Sequence, residues 1–287
     1  MSVSVSPPRT PTDALPREET GQRKEAPECV RLVQLTDLHL FARPDARLLG
    51  VMTRHSFEAV LKLALSQSVP AGALVLTGDL VHDESAEGYR SLRQALDSTG
   101  LAYYCIPGNH DSPPMMETWL GAAAVGAVAT RRLGAWGLVF LDSTHPGRDS
   151  GRLGDARLAA LDRALSVDRS PTAIFLHQHP VPVESAWMDT MAVEDGEALL
   201  AICDRHPQVK AVVCGHIHQE LERQRGGYRI LGTPSTCVQF TPGSVDFAID
   251  ERPPGYREIR LFTDGRLQSE VVRLADYAEQ ANQAEAG

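Results

Sequence analysis

The feature that most constrains this chain is an apolar strand that stops on an acid: Ala73-Leu74-Val75-Leu76-Thr77-Gly78-Asp79. An apolar run without polar alternation reads as a central strand covered on both faces. Gly78 lets the backbone turn, and Asp79 stands just past the strand end, where open α/β sheets gather ligands. One strand-Gly-Asp is a weak signal, because most such aspartates cap turns. The arrangement recurs, however. Val30 to Leu35 leads to Asp37 and His39, and Ala102 to Ile106 leads to Asn109, His110 and Asp111. Ala173 to Leu176 leads to His177 and His179, and Lys210 to Cys214 leads to His216 and His218. Five apolar strands that each end in metal-ligand chemistry describe one site.

The chain has 287 residues, 43% of them hydrophobic, which suffices for one large α/β domain. We expect that domain over residues 29–275, with a C-terminal tail over 276–287. Residues 1–28 are rich in Pro, Ser, Thr and charge and contain no apolar segment of a signal peptide, so a disordered N-terminal extension is expected. No apolar run approaches the roughly 20 residues that cross a membrane. The net charge of −9 speaks against a nucleic-acid partner. It does not speak against a small phosphate ester, because bound dications reverse the local field. The cysteines Cys29, Cys105, Cys203, Cys214 and Cys237 are scattered and lack a paired spacing. Free thiols in a reducing, cytoplasmic setting are the expectation.

Helical spacing recurs between the strands. Phe57, Val60, Leu61, Ala64 and Leu65 mark one helix with Ser56 at its N-cap, and Tyr89, Leu92 and Leu96 a second. Leu158, Leu161 and Leu165 mark a third opened by Asp155, and a fourth is expected from Asp195 to His206. Gly137 to Asp142 is a further strand. From about Arg225 onward the helical period disappears, and short β-like runs follow: Tyr228 to Leu231, Thr236 to Phe240, Val245 to Ile249, Tyr256 to Phe262 and Leu267 to Leu274. Asp264-Gly265 is a hairpin turn between the last two. An alternating first half and a β-rich last part suggest two sheets face to face with helices outside.

Asp37-Leu38-His39 and His216-Ile217-His218 each place two donors on one side of an extended segment. With Asp79, Asn109 and His177 they make seven nitrogen and oxygen donors and no sulfur. Such a set suits manganese, iron, zinc or cobalt rather than calcium or a thiolate-bound zinc. Seven donors exceed the needs of one four-coordinate ion and fit two ions that share a carboxylate, with positions left open for water and substrate. Two metals roughly 3.5–4 Å apart are a recurring device for in-line displacement at phosphorus.

The ordered series Asp37-Leu38-His39, Gly78-Asp79, Gly108-Asn109-His110-Asp111, His177 and Gly215-His216-Ile217-His218 resembles the calcineurin-like metallophosphoesterase superfamily, over about Arg31 to Leu274. The resemblance implies an α/β fold, a four-layer αββα sandwich of two mixed β-sheets flanked by helices. It also implies two divalent or trivalent transition-metal ions per chain, iron and/or manganese foremost, with zinc or cobalt compatible. Asp37, His39, Asp79 and His218 would hold one ion, and Asp79, Asn109, His177 and His216 the other, with Asp79 bridging. Pro234 to Phe240, Pro254-Gly255-Tyr256-Arg257 and Leu176 to Pro180 are similar to the branch of bacterial 3′,5′-cyclic AMP phosphodiesterases. Gln178 departs from that branch, where relatives often carry another histidine, but the departure falls on no inferred ligand position. Protein Ser/Thr phosphatases of the superfamily carry an Arg soon after Gly-Asp and a Glu closing the Asn-His motif. This chain reads Gly78-Asp79-Leu80-Val81-His82-Asp83 and Asn109-His110-Asp111, which favours small phosphodiesters.

The implied reaction is hydrolysis of 3′,5′-cyclic AMP to 5′-AMP by in-line attack of a metal-bridging hydroxide. The implied partner is thus a small cyclic nucleotide, lying against His39, Asp79, Asn109, His110 and His218. His110, which carries no metal in this scheme, serves the leaving group, with Asp111 beside it to fix its tautomer. Thr236, Gln239, Phe240 and Tyr256 are expected to border the nucleoside, or else to complete the second sheet. His179 is a candidate for ligand support or substrate contact. His55, His82, His145 and His206 read as ordinary surface residues and Arg131-Arg132 as a solvated turn. Two other readings stand beside this one: a metallophosphoesterase acting on a different phosphodiester or phosphomonoester, and a non-catalytic protein-binding scaffold on the same fold.

Overall fold

Alternate residues of each central strand pack in opposite directions, and that alternation builds the layers. The structure, a computed structural model, describes residues 28–275 and 277–282. In the strand Cys29–Leu35, Val33 and Leu35 pack with Phe57, Val60, Tyr89 and Leu92, on the helices Thr53–Leu65 and Ala86–Asp97. Leu32 of the same strand points the other way, into a cluster with Ala73, Val75, Phe140, Phe175 and Val213. On the far side, Ile174 and Val212 pack with Leu161, Leu165, Leu199 and Ile202, on the helices Gly154–Val167 and Gly196–Asp204. The order of layers is therefore helix, sheet, sheet, helix.

The first sheet has five strands in the order Leu267–Arg273, Gly255–Phe262, Cys29–Leu35, Ala71–Thr77, Ala102–Ile106. Its last three strands are mutually parallel and the first two antiparallel. The second sheet has six: Leu221–Arg225, Tyr228–Gly232, Val209–Cys214, Thr172–Phe175, Trp136–Leu141, Val128–Leu133. Its four central strands are parallel and its edges antiparallel. Both sheets are mixed, and the central strands are the apolar runs of the sequence.

Several local expectations are corrected. Ser56 is not an N-cap: the helix starts at Thr53, and the buried Ser56 hydroxyl donates to the Thr236 carbonyl at 2.5 Å. The helix Gly154–Val167 is held at its start by a distant side chain, since Asp195 accepts from Leu153 N at 2.9 Å and Gly154 N at 2.7 Å. Arg131 and Arg132 sit in the edge strand Val128–Leu133 rather than in a turn. The runs Thr236 to Phe240 and Val245 to Ile249 shrink to a ribbon of Gln239–Phe240 and Ile249–Asp250. Their preceding backbone is spent elsewhere: Thr236 N donates to Thr36 O, and Ser235 Oγ to Asp37 O at 2.7 Å.

The extension expected over 1–28 lies, apart from Glu28, outside the described residues. Of the expected C-terminal tail, the described residues 277–282 cross the hairpin of Arg47–Leu48 and Val51–Met52. Glu279 accepts from Met52 N at 2.7 Å, and Asn282 N donates to Leu49 O at 2.8 Å. Tyr277 and Ala281 pack against Val51, Cys237 and Val238.

Candidate metal centre

The loops that leave the central strands are laced together before any side chain is considered. Asp37 N donates to Gly78 O at 3.0 Å, His39 N to Asp79 O at 2.9 Å, and Gly215 N to His177 O at 3.0 Å. The two sheets are joined across the gap where His216 N donates to Asp37 Oδ2 at 3.0 Å. The turns are tight. Asp37, His39, Asp79, His216 and His218 account for five of the eight non-glycine residues with positive φ among the described residues. A non-glycine residue held there costs about 1–3 kcal/mol, which the surrounding hydrogen bonds must over-determine. Gly78 turns at φ +94°, and a methyl there would stand 2.5 Å from His177 Nδ1.

Those turns bring all seven candidate ligands and His110 together. Asp37, His39 and His218 form one cluster, and Asp79, His177 and His216 a second. Asp79 reaches both: its Oδ2 lies 3.7 Å from His39 Nε2 and its Oδ1 3.4 Å from His177 Nε2. Asn109 Oδ1 joins the second cluster, 3.2 Å from His177 Nε2. Asp37, His39, Asp79, His177, His216 and His218 are all buried, whereas Asn109 and His110 are half-exposed at the rim.

The donor chemistry fits cations at both clusters. His177 Nδ1 lies 2.7 Å from Thr77 O and His218 Nδ1 2.7 Å from Val238 O. A carbonyl only accepts, so both rings carry their proton on Nδ1 and aim Nε2 lone pairs inward. The His177 lone pair then faces the oxygens of Asn109 and Asp79, three electron-pair donors converging on one point. His216 Nδ1 adds a fourth at 3.2 Å, and its buried Nε2 has no hydrogen-bond partner among the described residues. Such an array is repulsive unless positive charge sits within it. The electrostatics agree. Burial opposes a charge on His177, yet the Asp79 carboxylate outweighs it and raises the ring to about 9, so positive charge is favoured at this point, carried by a cation or, in its place, by a proton on Nε2. Burial likewise opposes ionisation of Asp79, but His177 holds it well below the usual carboxylate range. His39 and His216 lie well below the ordinary imidazole value, chiefly through burial, and are neutral donors.

Above the clusters opens a cleft of about 270 Å³. Its floor is His39, Asp79, Asn109, His110, His216 and His218, and its apolar wall includes Leu48, Leu49, Trp187, Met191 and Phe240. Phe240 stacks on His218, with ring centroids 4.1 Å apart and planes 9° from parallel.

Some sequence assignments move. Asp111 does not touch the His110 ring; it is buried and accepts from Leu80 N, Val81 N, Gly108 N and the Tyr89 hydroxyl. It is thus the brace between the Asp79 and Asn109 loops, and burial together with nearby Asp79 pushes it up to about 6. His179 is fully buried, stacks on His216 at 5.7 Å and does not line the cleft. Tyr256 belongs to the core beneath the helices, and Gln239 is buried with its amide on Ser235 O; of the late segment only Phe240 faces the cleft. His206 is buried against Asp162 at 2.7 Å. The residue that sequence reasoning missed is His82. It lines the cleft, its Nδ1 lies 3.1 Å from His39 Nδ1, and it stacks on His110 at 4.6 Å. Its only sequence signal was its place three residues after Asp79.

Comparison with known proteins points one way. The sequence profile of the family described as calcineurin-like phosphoesterase matches residues 30–220. The chain is 40% identical over 248 residues to the 3′,5′-cyclic adenosine monophosphate phosphodiesterase CpdA of Vibrio vulnificus (strain CMCP6), covering 86% of this chain and 90% of that one. It is 38% identical over 260 residues to the protein of the same name from Escherichia coli (strain K12), covering 90% and 94%. Among solved structures, a dimetal phosphatase from Danio rerio superposes with a TM-score of 0.61 at 14% identity, covering 86% of this chain and 99% of that one. A purple acid phosphatase from yellow lupin superposes with a TM-score of 0.62 at 12% identity, covering 91% and 55%. Both structures share the fold.

Proposed function

This chain belongs to the calcineurin-like phosphoesterase family, and we propose on that premise that it is a metal-dependent phosphodiesterase hydrolysing 3′,5′-cyclic AMP to 5′-AMP. The observation that carries the reading is Asp79, with one carboxylate oxygen turned to each donor cluster on the floor of an open cleft. Asp37, His39, Asp79 and His218 are the residues for one ion, and Asp79, Asn109, His177 and His216 those for the other. The sulfur-free donor set suits iron, manganese, zinc or cobalt, and the family resemblance puts iron or manganese foremost. Bound there, two such ions supply a nucleophile from water at neutral pH and draw charge from the phosphoryl oxygens.

The chain's own groups do the rest. The phosphate rests over His39, Asp79, Asn109, His110 and His218. The oxygen of water adds to phosphorus as the bond to O3′ breaks, so the ring opens and the phosphate stays on C5′. O3′ leaves as a poorly stabilised alkoxide, and His110, at the half-exposed rim, gives it a proton. The Asn109 amide nitrogen, 3.5 Å from Asp149 Oδ1, is placed for an equatorial oxygen as charge builds there. The nucleoside lies against Leu48, Leu49, Trp187, Met191 and Phe240, an apolar face that excludes water from one side of the cleft. Five free thiols support a reducing, cytoplasmic setting.

A turnover panel tests the proposal: cyclic AMP, cyclic GMP, a 2′,3′-cyclic nucleotide and a generic aryl phosphodiester, before and after chelation. The expected result is preferred turnover of cyclic AMP, 5′-AMP as sole product, loss on chelation and recovery with manganese or iron. Preference for the aryl diester, or 3′-AMP as product, would refute it.

A further inference from the structure

His82 is a cleft residue without a role in that scheme, and its surroundings give it one. Three of the four imidazoles in the two clusters have their outer nitrogen tied down. His177 and His218 use the carbonyls of Thr77 and Val238, and His39 uses Nδ1 of His82 at 3.1 Å. The partner of a ligating imidazole fixes its tautomer and its rotation about the ring axis. His39 Nε2 lies 3.3 Å from His218 Nε2 and 3.7 Å from Asp79 Oδ2, so it is the nitrogen aimed into the cluster. Its proton is then on Nδ1, donated to the lone pair of His82 Nδ1, and the proton of His82 is on Nε2.

The ring of His82 has a second neighbour. One face stacks on His110, with centroids 4.6 Å apart and planes 23° from parallel. Phe41 packs against the same ring at 4.9 Å. His110 meets His39 edge-on at 5.1 Å, so the three rings form a closed group. The His82 backbone is itself anchored, its N–H donating to Leu40 O at 2.7 Å.

We infer that His82 is a positioning residue with two charges: its hydrogen bond holds His39 in the tautomer that offers Nε2 to an ion, and its ring face holds His110 over the leaving group. The inference rests on the dimetal reading above. The two functions separate by substitution. His82→Phe keeps a stacking face and removes the hydrogen bond; His82→Gln keeps an amide able to accept from His39 and removes the ring.

Wild type and both variants are stripped of metal and titrated with manganese, and then assayed with cyclic AMP and with bis-nitrophenyl phosphate. His82→Phe should lose roughly 10–100-fold in affinity for one of the two ions, the ordinary effect of removing a partner of a ligating imidazole. His82→Gln should bind both ions as the wild type does. Its kcat for cyclic AMP should fall by about tenfold or more, while the aryl ester, with a good leaving group, changes little. Unchanged metal affinity in His82→Phe, or an equal loss on both substrates in His82→Gln, overturns the inference. So does a parallel loss of everything with a lowered melting temperature, which marks a structural role only. A wild type that fails to take up two ions or to turn over cyclic AMP instead overturns the dimetal reading, whatever the variants do.

Discussion

Gly108→Ala tests how rigidly the shared carboxylate is held. The added methyl would stand 2.1 Å from Asp79 Oδ1 and 2.3 Å from Asp79 N. Carbon and oxygen in ordinary contact stand roughly 3.3 Å apart, so something must move by about 1 Å. A side chain could swing away, but the second obstacle is backbone. The Asn109 loop and the Asp79 loop must therefore separate, against Gly108 N to Asp111 Oδ2 at 2.9 Å and His110 N to Asp79 Oδ1 at 3.0 Å. Overpacking of this kind costs about 1–3 kcal/mol. For a domain of this size that lowers the melting temperature by roughly 2–10 °C. A carboxylate displaced by about 1 Å costs on the order of 100-fold in rate. Calorimetry, metal analysis and cyclic AMP turnover read the three effects. Gly126→Ala is the control, since a methyl there meets nothing within 4 Å. Gly108→Ala with wild-type melting, full metal content and turnover equal to the control would show that the geometry assigned to Asp79 is wrong.

Asp79→Ala removes the carboxylate that reaches both clusters, and metal analysis should find at least one ion lost per chain along with activity. Asp111→Ala strands three backbone N–H groups and the Tyr89 hydroxyl, so denaturant unfolding should show a loss of roughly 3–5 kcal/mol, whereas Tyr89→Phe should cost about 1–2 kcal/mol. Trp187→Ala should raise KM for cyclic AMP about tenfold without altering turnover of a small aryl diester, because ground-state contact with the nucleoside is lost. Tyr256→Phe, whose hydroxyl accepts from Arg31 at 3.3 Å in the core, should leave that KM unchanged and cost only about 1 kcal/mol of stability.

The parts of the site that were legible in the sequence are those encoded locally. A continuous apolar run followed by Gly-Asp or His-x-His states both a buried strand and what waits at its end, so the ligand strands and the two-sheet layering follow from short stretches. What was hidden depends on pairings between distant segments. His82 looks like any loop histidine until Leu40 and Val81 pair and bring it beside His39. Asp195 looks like the start of its own helix, yet its carboxylate holds the start of Gly154–Val167. The run from Thr236 to Phe240 has strand-like composition, but only Gln239–Phe240 joins a ladder, while Thr236 N and the neighbouring Ser235 Oγ bond to Thr36 and Asp37. Tyr256 was the avoidable miss: in Gly255–Phe262 the residues Ile259 and Leu261 face the sheet interface, and the period of two puts Tyr256 on the opposite side, under the helices.

The most direct measurement is titration of the metal-free chain with manganese while the formation of 5′-AMP from cyclic AMP is followed. With Asp79 shared between two clusters, activity should rise until two ions are bound per chain and then level off. Full activity at one ion per chain, or turnover of cyclic AMP that does not depend on metal, would contradict the dimetal centre.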